Sequence, residues 1–214
     1  EGRRGHVQWG GGEGCGCGVV GVALDCEEGG AVGGEEEQAA LGGALLSLAR
    51  EQARVAGRVQ PVDHPAFEHD IATIAGKAAR RLRHIMLPKV ESPADIMRAC
   101  LALDAVGATE LPVHALIESP AAVHRAFDIA AHPRVQSLSF GLMDFVSAHG
   151  GAIPAEAMSL EGQFEHPPGG RAKVETRSTS HAPGKVPRSC SGRHVQAHRE
   201  ERREPQKAAS DGDG

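Results

Sequence analysis

Residues 84–92, H-I-M-L-P-K-V-E-S, decide the fold that the sequence predicts. The apolar run 84–87 is closed by Pro88, which is typical of a short buried strand. Ser92 then begins a helix: it supplies an N-cap side chain, Pro follows at the first helical position, and an acid lies in the first turn. A strand that passes into a helix within a few residues is the unit from which parallel α/β folds are built.

The same unit recurs on both sides of this stretch. Downstream, 113–117 predict a strand, Ser119 begins a helix, and 135–140 predict another strand; upstream, 55–60 and 19–24 are candidate strands. Strands that alternate with helices of about 12–16 residues predict βαβ units and a parallel sheet. Such a series builds either a (β/α)₈ barrel or an open doubly wound sheet. The G-x-G-x-x-G fingerprint that is typical of the doubly wound sheet does not occur at the start of a helix here.

Each predicted helix carries an apolar face that we expect to be buried. The expected inward residues are Leu41, Leu45 and Leu48; Phe67, Ile71, Ile74 and Ala78 in a helix over 66–82; Ile96, Cys100, Leu101 and Leu103; and Val123, Phe127 and Ala130.

Composition excludes several classes of partner. The formal net charge of −5 argues against nucleic acid and against a membrane surface. We find no run of about 18 apolar residues that would span a bilayer, and no apolar segment typical of a signal peptide. The five cysteines are scattered, which favours a reducing cytoplasm over a disulfide framework.

Polar residues follow the predicted strands repeatedly, where active sites of parallel α/β folds lie. They are Asp25 and Glu27, Lys89 and Glu91, Glu118, and Asp144, and Arg58 lies within the candidate strand 55–60. Two carboxylates on neighbouring strand ends, Glu118 and Asp144, suit Mg²⁺, and an arginine could hold a substrate carboxylate or an enolate. Spacing alone leaves open that these acids are helix caps or solvated loop residues.

Two further motifs narrow these alternatives. The chain carries A-L-I-E-S-P at 115–120 and L-S-F-G-L-M-D-F at 138–145. Together with 84–92, and in this order, they resemble the HpcH/HpaI aldolase/citrate lyase family. D-C-E-E at 25–28 is similar to the D-L-E-D of that family, and G-R-V-Q-P at 57–61 is similar to its V-R-x-N strand.

The resemblance implies a TIM (β/α)₈ barrel of the phosphoenolpyruvate/pyruvate type, which we expect to be incomplete because the terminal barrel segments of the family find no clear match. We therefore predict a disordered Gly-rich segment over 1–18, a partial TIM-barrel lyase domain over 19–187, and a disordered polar tail over 188–214. The composition of both ends offers too few apolar residues to offset the entropy of ordering.

The implied function is a cytoplasmic, homo-oligomeric carbon–carbon lyase that depends on Mg²⁺, with Mn²⁺ as an alternative. Its substrate would be a small molecule, a 3-hydroxyacyl-CoA of the malyl-, citramalyl- or citryl-CoA kind, cleaved by a retro-aldol or retro-Claisen route. Two alternatives stay open: an aldolase for free 2-keto-4-hydroxy acids, and a non-catalytic remnant of a barrel.

The resemblance also implies a role for each candidate residue. Glu118 and Asp144 would be the metal ligands. Arg58 would contact substrate oxygens as a catalytic and substrate-binding residue. Asp25 and Glu27 would be substrate-binding residues that hold Arg58 or metal-bound water. Lys89 and Glu91 would be catalytic residues that form a supporting charge pair.

Overall fold

One six-stranded sheet forms the centre of the computed structural model, which describes residues 7–10, 21–27, 33–48, 54–159 and 162–180. Its strands follow the chain in order: β1 Val7–Gly10, β2 Gly21–Asp25, β3 Arg54–Arg58, β4 Leu82–Leu87, β5 Val113–Ile117 and β6 Val135–Phe140. Strands β2 to β6 pair in parallel, and β1 pairs with β2 in the antiparallel sense.

Helices connect the parallel strands. They are α1 Glu35–Leu48, α2 Phe67–Asp70, a π-helical turn Ile71–Ala75, α3 Gly76–Ala78, α4 Pro93–Ala105, α5 Pro120–His124, α6 Ala126–Ala131, α7 Leu142–Ser147, a 3₁₀ turn Ala155–Met158, α8 Gly162–Glu165 and α9 Pro167–Ser180. Among these helices, none is both long and apolar enough to cross a membrane.

The strand order confirms the predicted incomplete (β/α)₈ architecture. Five parallel strands lie beside one another in chain order, each joined to the next through helix, whereas a doubly wound sheet reverses its strand order. Within the described residues no backbone ladder joins β6 to β1, so the sheet is not closed there.

The amino-terminal prediction requires a correction. We expected disorder throughout 1–18, but Val7–Gly10 form β1 along the edge of β2. An edge strand pairs through backbone N–H and C=O groups, which composition does not reveal. The rest of 1–18 and all of 188–214 lie outside the described residues, and the three domain boundaries stay a prediction.

The main core lies between one face of the sheet and the helices. Alternate residues of the central strands are fully buried against it, including Ile85, Leu87, Val113, Ala115 and Ile117. The other face is partly polar: His114 on β5 contacts the hydroxyls of Ser137 and Ser139 on β6, at 2.6 and 2.9 Å. Because side chains alternate along a strand, those at the strand ends on this partly polar face surround one opening at the carboxyl ends of the strands, which we call the mouth.

Most of the predicted helix faces are buried. Phe67, Ile71, Ile74 and Ala78 are all buried, although a π-helical turn interrupts the predicted helix over 66–82. Ile96, Cys100 and Leu103 of α4 are buried as well, as is Ala130 of α6, and Val123 packs partly buried against the core.

Four predicted core residues are exposed instead, which corrects the helix faces. Leu41 and Leu45 point away from the core because α1 packs through the face that carries Ala39, Gly43 and Leu46: a Cβ on Gly43 would lie 2.7 Å from the Thr73 carbonyl oxygen. Leu101 and Phe127 are 69% and 67% exposed. For Phe127 the cause is a break at Arg125, which separates α5 from α6, so one continuous face does not exist. The Leu48 side chain lies outside the part of the structure that is described.

We predict that Gly57→Ala destabilises the protein and Gly76→Ala does not. A Cβ on Gly57 would lie 2.9 Å from Cγ2 of the fully buried Ile74, whereas a Cβ on Gly76 would meet Val106 at an ordinary 3.6 Å inside a helix. Overpacking costs about 1–3 kcal/mol, and Ala in a helix is favoured over Gly by about 0.5–1 kcal/mol. Thermal and urea melts of both variants check this, and equal stability of the pair would contradict the packing described.

Candidate active site at the carboxyl ends of the strands

Arg58 forms a buried ion cluster with the turn after β2. The parallel register places Asp25 opposite Arg58 at the ends of β2 and β3. Arg58 Nε donates to Asp25 Oδ1 at 2.8 Å, and Nη2 donates to Asp25 Oδ2. Arg58 Nη1 contacts Glu27 Oε2 at 3.0 Å, and the three side chains are 12%, 6% and 5% exposed. A planar fork held by two carboxylates has little freedom to rotate.

Lys89 links this cluster to β5. Its backbone lies in the left-handed region, with φ of 51°, which few residues with a side chain adopt. Its N–H donates to Glu118 Oε2 at 2.7 Å, and its Nζ lies 2.9 Å from Glu27 Oε1. The hydrogen bond with Glu27 raises the pKa of Lys89, with added attraction from Asp144 and Glu118. One residue therefore contacts carboxylates from two strand ends.

Glu118 is the buried carboxylate at the centre of the mouth. Its pKa is raised to about 7, chiefly by burial and in addition by the charges of Glu27 and Asp144, while the Lys89 N–H and Arg58 oppose the rise. Its side chain lies against the bare backbone of Gly141, where a Cβ would stand 2.4 Å from Oε1. Asp144 follows in the first turn of α7.

The donor set of this mouth fits a hard divalent cation. Among the described residues no group of three or more His, Cys, Asp or Glu side chains forms a metal-binding cluster. Mg²⁺ does not need one, since it takes one or two carboxylates and completes its shell with water and substrate oxygens. Burial raises the pKa of Glu118, the negative charges of Glu27 and Asp144 add to the rise, and the two candidate ligands, Glu118 and Asp144, both offer carboxylate oxygens.

Comparison with known proteins agrees with this geometry. The family model "HpcH/HpaI aldolase/citrate lyase" matches residues 24–161, well over half of the chain. The chain belongs to this family. The match includes every candidate residue of the mouth, from Asp25 to Asp144.

Among curated proteins, the L-malyl-CoA/beta-methylmalyl-CoA lyase of Cereibacter sphaeroides is 33% identical over 99 residues, which cover 44% of this chain and 31% of that enzyme. The lyase of the same name from Rhodobacter capsulatus is 30% identical over 99 residues. The chain thus matches about a third of the length of these curated relatives.

Among solved structures, a citrate lyase from Burkholderia xenovorans is 43% identical with a TM-score of 0.70, covering 77% of this chain and 53% of that one. The citrate lyase beta subunit of Mycobacterium tuberculosis, solved with oxaloacetate and magnesium, has a TM-score of 0.60 at 21% identity, covering 77% of this chain and 65% of that one. The second likeness shows the fold alone.

One predicted contact between the candidate site residues is wrong. We expected Lys89 to pair with Glu91, but Lys89 contacts Glu27 and Glu91 Oε2 accepts a hydrogen bond from Ser119 Oγ at 2.7 Å. The cause is the left-handed backbone at Lys89, which a linear sequence does not show. The other implied residues, Asp25, Glu27, Arg58, Glu118 and Asp144, interact around one mouth through the contacts and charge effects above.

Sequence reasoning missed the contacts of Gly141, Gln60 and Asp70. Gly141, Gln60 and Asp70 carry no charge pattern that marks them, yet Gly141 gives Glu118 its space and Gln60 N donates to Asp70 Oδ2 at 2.9 Å. Gly141, which directly follows the strand 135–140 within L-S-F-G-L-M-D-F, was an available signal, since a glycine at a strand end indicates a close approach of the backbone.

We predict that Glu118→Gln stabilises the metal-free protein at pH 8. The folded pKa of Glu118 lies near 7, above the usual 4.5, so ionisation above that range opposes folding. The gain should approach about 2–3 kcal/mol at pH 8 and fall below about 1 kcal/mol at pH 5, where the folded carboxyl is protonated. Melts in EDTA at both pH values check it, with the exposed Glu110→Gln as a control, and a gain that does not depend on pH would contradict the assignment.

Proposed function

We propose that the mouth of this sheet performs Mg²⁺-dependent carbon–carbon bond cleavage of a 3-hydroxyacyl-CoA of the malyl-, citramalyl- or citryl-CoA kind. The observation that carries the proposal is the buried Glu118, whose pKa is raised to about 7 beside Asp144 and Glu27, with the fixed guanidinium of Arg58 next to it. This arrangement supports a cation-binding pair and an anion-binding fork around one mouth.

The balance of charge supports the metal. Asp25, Glu27, Glu118 and Asp144 outnumber the two cations, Arg58 and Lys89, and most of these side chains are shielded from water. Surplus negative charge in a low-dielectric mouth is unstable without a counter-ion. A bound Mg²⁺ would relieve it and would stabilise charge on a substrate carboxylate, keto or enolate oxygen. Glu118 and Asp144 are the proposed ligands.

The protein's own residues supply position and charge. Asp25 and Glu27 accept from the Arg58 guanidinium and set its plane, so that Arg58 can meet an oxygen on which charge develops as the bond breaks. Lys89 and Glu91 are proposed as supporting catalytic residues: the Lys89 N–H orients Glu118, while Glu91 is held by Ser119. An orientation fixed before the reaction lowers the cost of reorganisation during it.

The CoA thioester is supported by the curated relatives, which are named L-malyl-CoA/beta-methylmalyl-CoA lyases, and by the L-P-K-V-E-S form of the strand end. A free keto acid is the alternative small-molecule substrate. We also propose that the protein is a homo-oligomer, because an unclosed parallel sheet leaves edges and faces that favour association. The proposed location is the cytoplasm. Neither nucleic acid nor a membrane is a proposed partner.

A non-catalytic remnant is the second candidate function. The sheet that is not closed within the described residues favours it, since barrel closure usually completes the pocket around the substrate. This candidate predicts a folded protein without lyase turnover, so the assay below distinguishes the two.

We predict that cleavage of malyl-CoA requires Mg²⁺ and both carboxylates. EDTA should abolish turnover, and Asp144→Asn and Glu118→Gln should each lower it by at least ~10²-fold, because each removes a ligand and transition-state stabilisation. Glyoxylate release measures the rate. Asp128→Asn on the exposed surface of α6 is the matched control and should retain activity. Equal turnover in EDTA would exclude the metal role, and a cooperative melt with no turnover would favour the remnant.

We predict that Arg58→Lys restores stability but not catalysis, in comparison with Arg58→Ala. Lysine keeps a cation beside the buried Asp25 and Glu27, whereas alanine leaves both without it. An ammonium lacks the planar fork, so kcat/KM of the lysine variant should stay within about tenfold of the alanine variant. Melting temperature and kcat/KM are measured on both. A lysine variant within a few-fold of wild type would show that Arg58 only neutralises charge.

A further inference from the structure

Asp70 is a buried carboxylate on α2 that none of the steps above uses. It is 0% exposed. Its Oδ2 accepts from the Gln60 N–H at 2.9 Å, while its Oδ1 is buried and has no hydrogen-bond partner among the described residues. We infer that Asp70 is a positioning residue, which holds the Arg58 guanidinium in its working orientation through Gln60. The inference rests on the proposed function, in which Arg58 contacts substrate.

Gln60 carries the connection from Asp70 to the cluster. Its side-chain Nε2 donates to the Cys26 carbonyl oxygen at 2.7 Å, and the Cys26 N–H donates to the Arg58 carbonyl oxygen at 2.9 Å. Gln60 thus joins the turn after β3 to the turn after β2. Cys26 lies between Asp25 and Glu27, the two carboxylates that hold the Arg58 fork, so the bond to Cys26 fixes the peptide units from which both extend.

The chemistry of Asp70 argues against a role in stability alone. Burial raises its pKa to about 6; the Gln60 N–H, His69 and His64 oppose the rise, and Glu35 adds to it. Above that pH the folded protein holds a charge that opposes folding, with one of its oxygens unpartnered. Costly buried polar groups of this kind concentrate at functional sites, since an apolar residue would satisfy the fold at lower cost.

Three variants distinguish the role of Asp70 as a hydrogen-bond acceptor from the role of its charge. Asp70→Leu has a similar size and removes the acceptor, while Asp70→Asn keeps a carbonyl oxygen for the Gln60 N–H. Gln60→Met keeps the backbone N–H and removes only the bond to Cys26. Thr73→Val is the matched control, because Thr73 is buried in the next turn of the same helical segment and its hydroxyl contacts His69 at 3.3 Å, away from Gln60.

The first measurement is cleavage of malyl-CoA with Mg²⁺. Asp70→Leu and Gln60→Met should lower kcat/KM about 10- to 100-fold, as expected from a misplaced catalytic group. Asp70→Asn and Thr73→Val should stay within a few-fold of wild type. In an Arg58→Lys background, Asp70→Leu should add little further loss, because the fork that it positions is already absent. Equal losses in both backgrounds would show a general structural role and overturn the inference.

The second measurement does not depend on turnover. The Nε–H resonance of Arg58, identified by its absence in Arg58→Lys, reports the bond to Asp25 in ¹⁵N-resolved NMR spectra. Asp70→Leu and Gln60→Met should shift this resonance and speed its exchange with solvent, while Asp70→Asn and Thr73→Val should not. An unchanged resonance in both test variants overturns the inference. A shifted resonance in a protein that cleaves no acyl-CoA supports the positioning and overturns the proposed function alone.

Discussion

The in-register parallel pairing of β2 with β3 is the constraint on which the mouth depends. It sets Asp25 directly opposite Arg58, on the face of the sheet turned away from the helices. An ion pair so shielded from water is tolerated only when its remaining donors and acceptors are satisfied. Glu27 meets the other arm of the guanidinium, and Lys89 meets Glu27. A slip of one residue would turn Arg58 towards the helical layer and separate all these partners.

Burial raises the pKa of Glu118 to about 7, and the same cluster contributes to the rise. Glu118 lies one strand beyond Lys89, close enough for Glu27 and Asp144 to repel its charge, yet it keeps a single strong donor in the Lys89 N–H. A site optimised for stability would replace one of these carboxylates with an amide. Their presence fits the proposed cation site, because a bound divalent ion would remove the repulsion and so gain affinity.

Local sequence predicted the strands better than it predicted the helix faces. The bounds of β6 agree with 135–140, and β5 with 113–117, because short apolar runs that end at a turn residue have few alternative conformations. Leu101 and Phe127 were assigned to the core by periodicity, which does not reveal a break such as that at Arg125. The partner of Lys89 was also beyond prediction, since it depends on a positive φ and on a turn more than sixty positions away.

Every candidate residue lies at the end of one of the strands β2 to β6 or in the segment that directly follows it, so adjacent strand ends set the geometry of the mouth. Closure of a barrel would add walls, but it would not change which carboxylate faces Arg58 or which N–H orients Glu118. The arrangement of charge at the mouth and the enclosure of the substrate are therefore separate properties, which a full barrel combines. Charge arrangement is local to neighbouring strands and is present here, whereas enclosure of a large thioester is a property of the whole ring. Binding of the cation should therefore survive in a partial barrel more readily than discrimination among acyl-CoA substrates, because the first needs two carboxylates and the second needs walls.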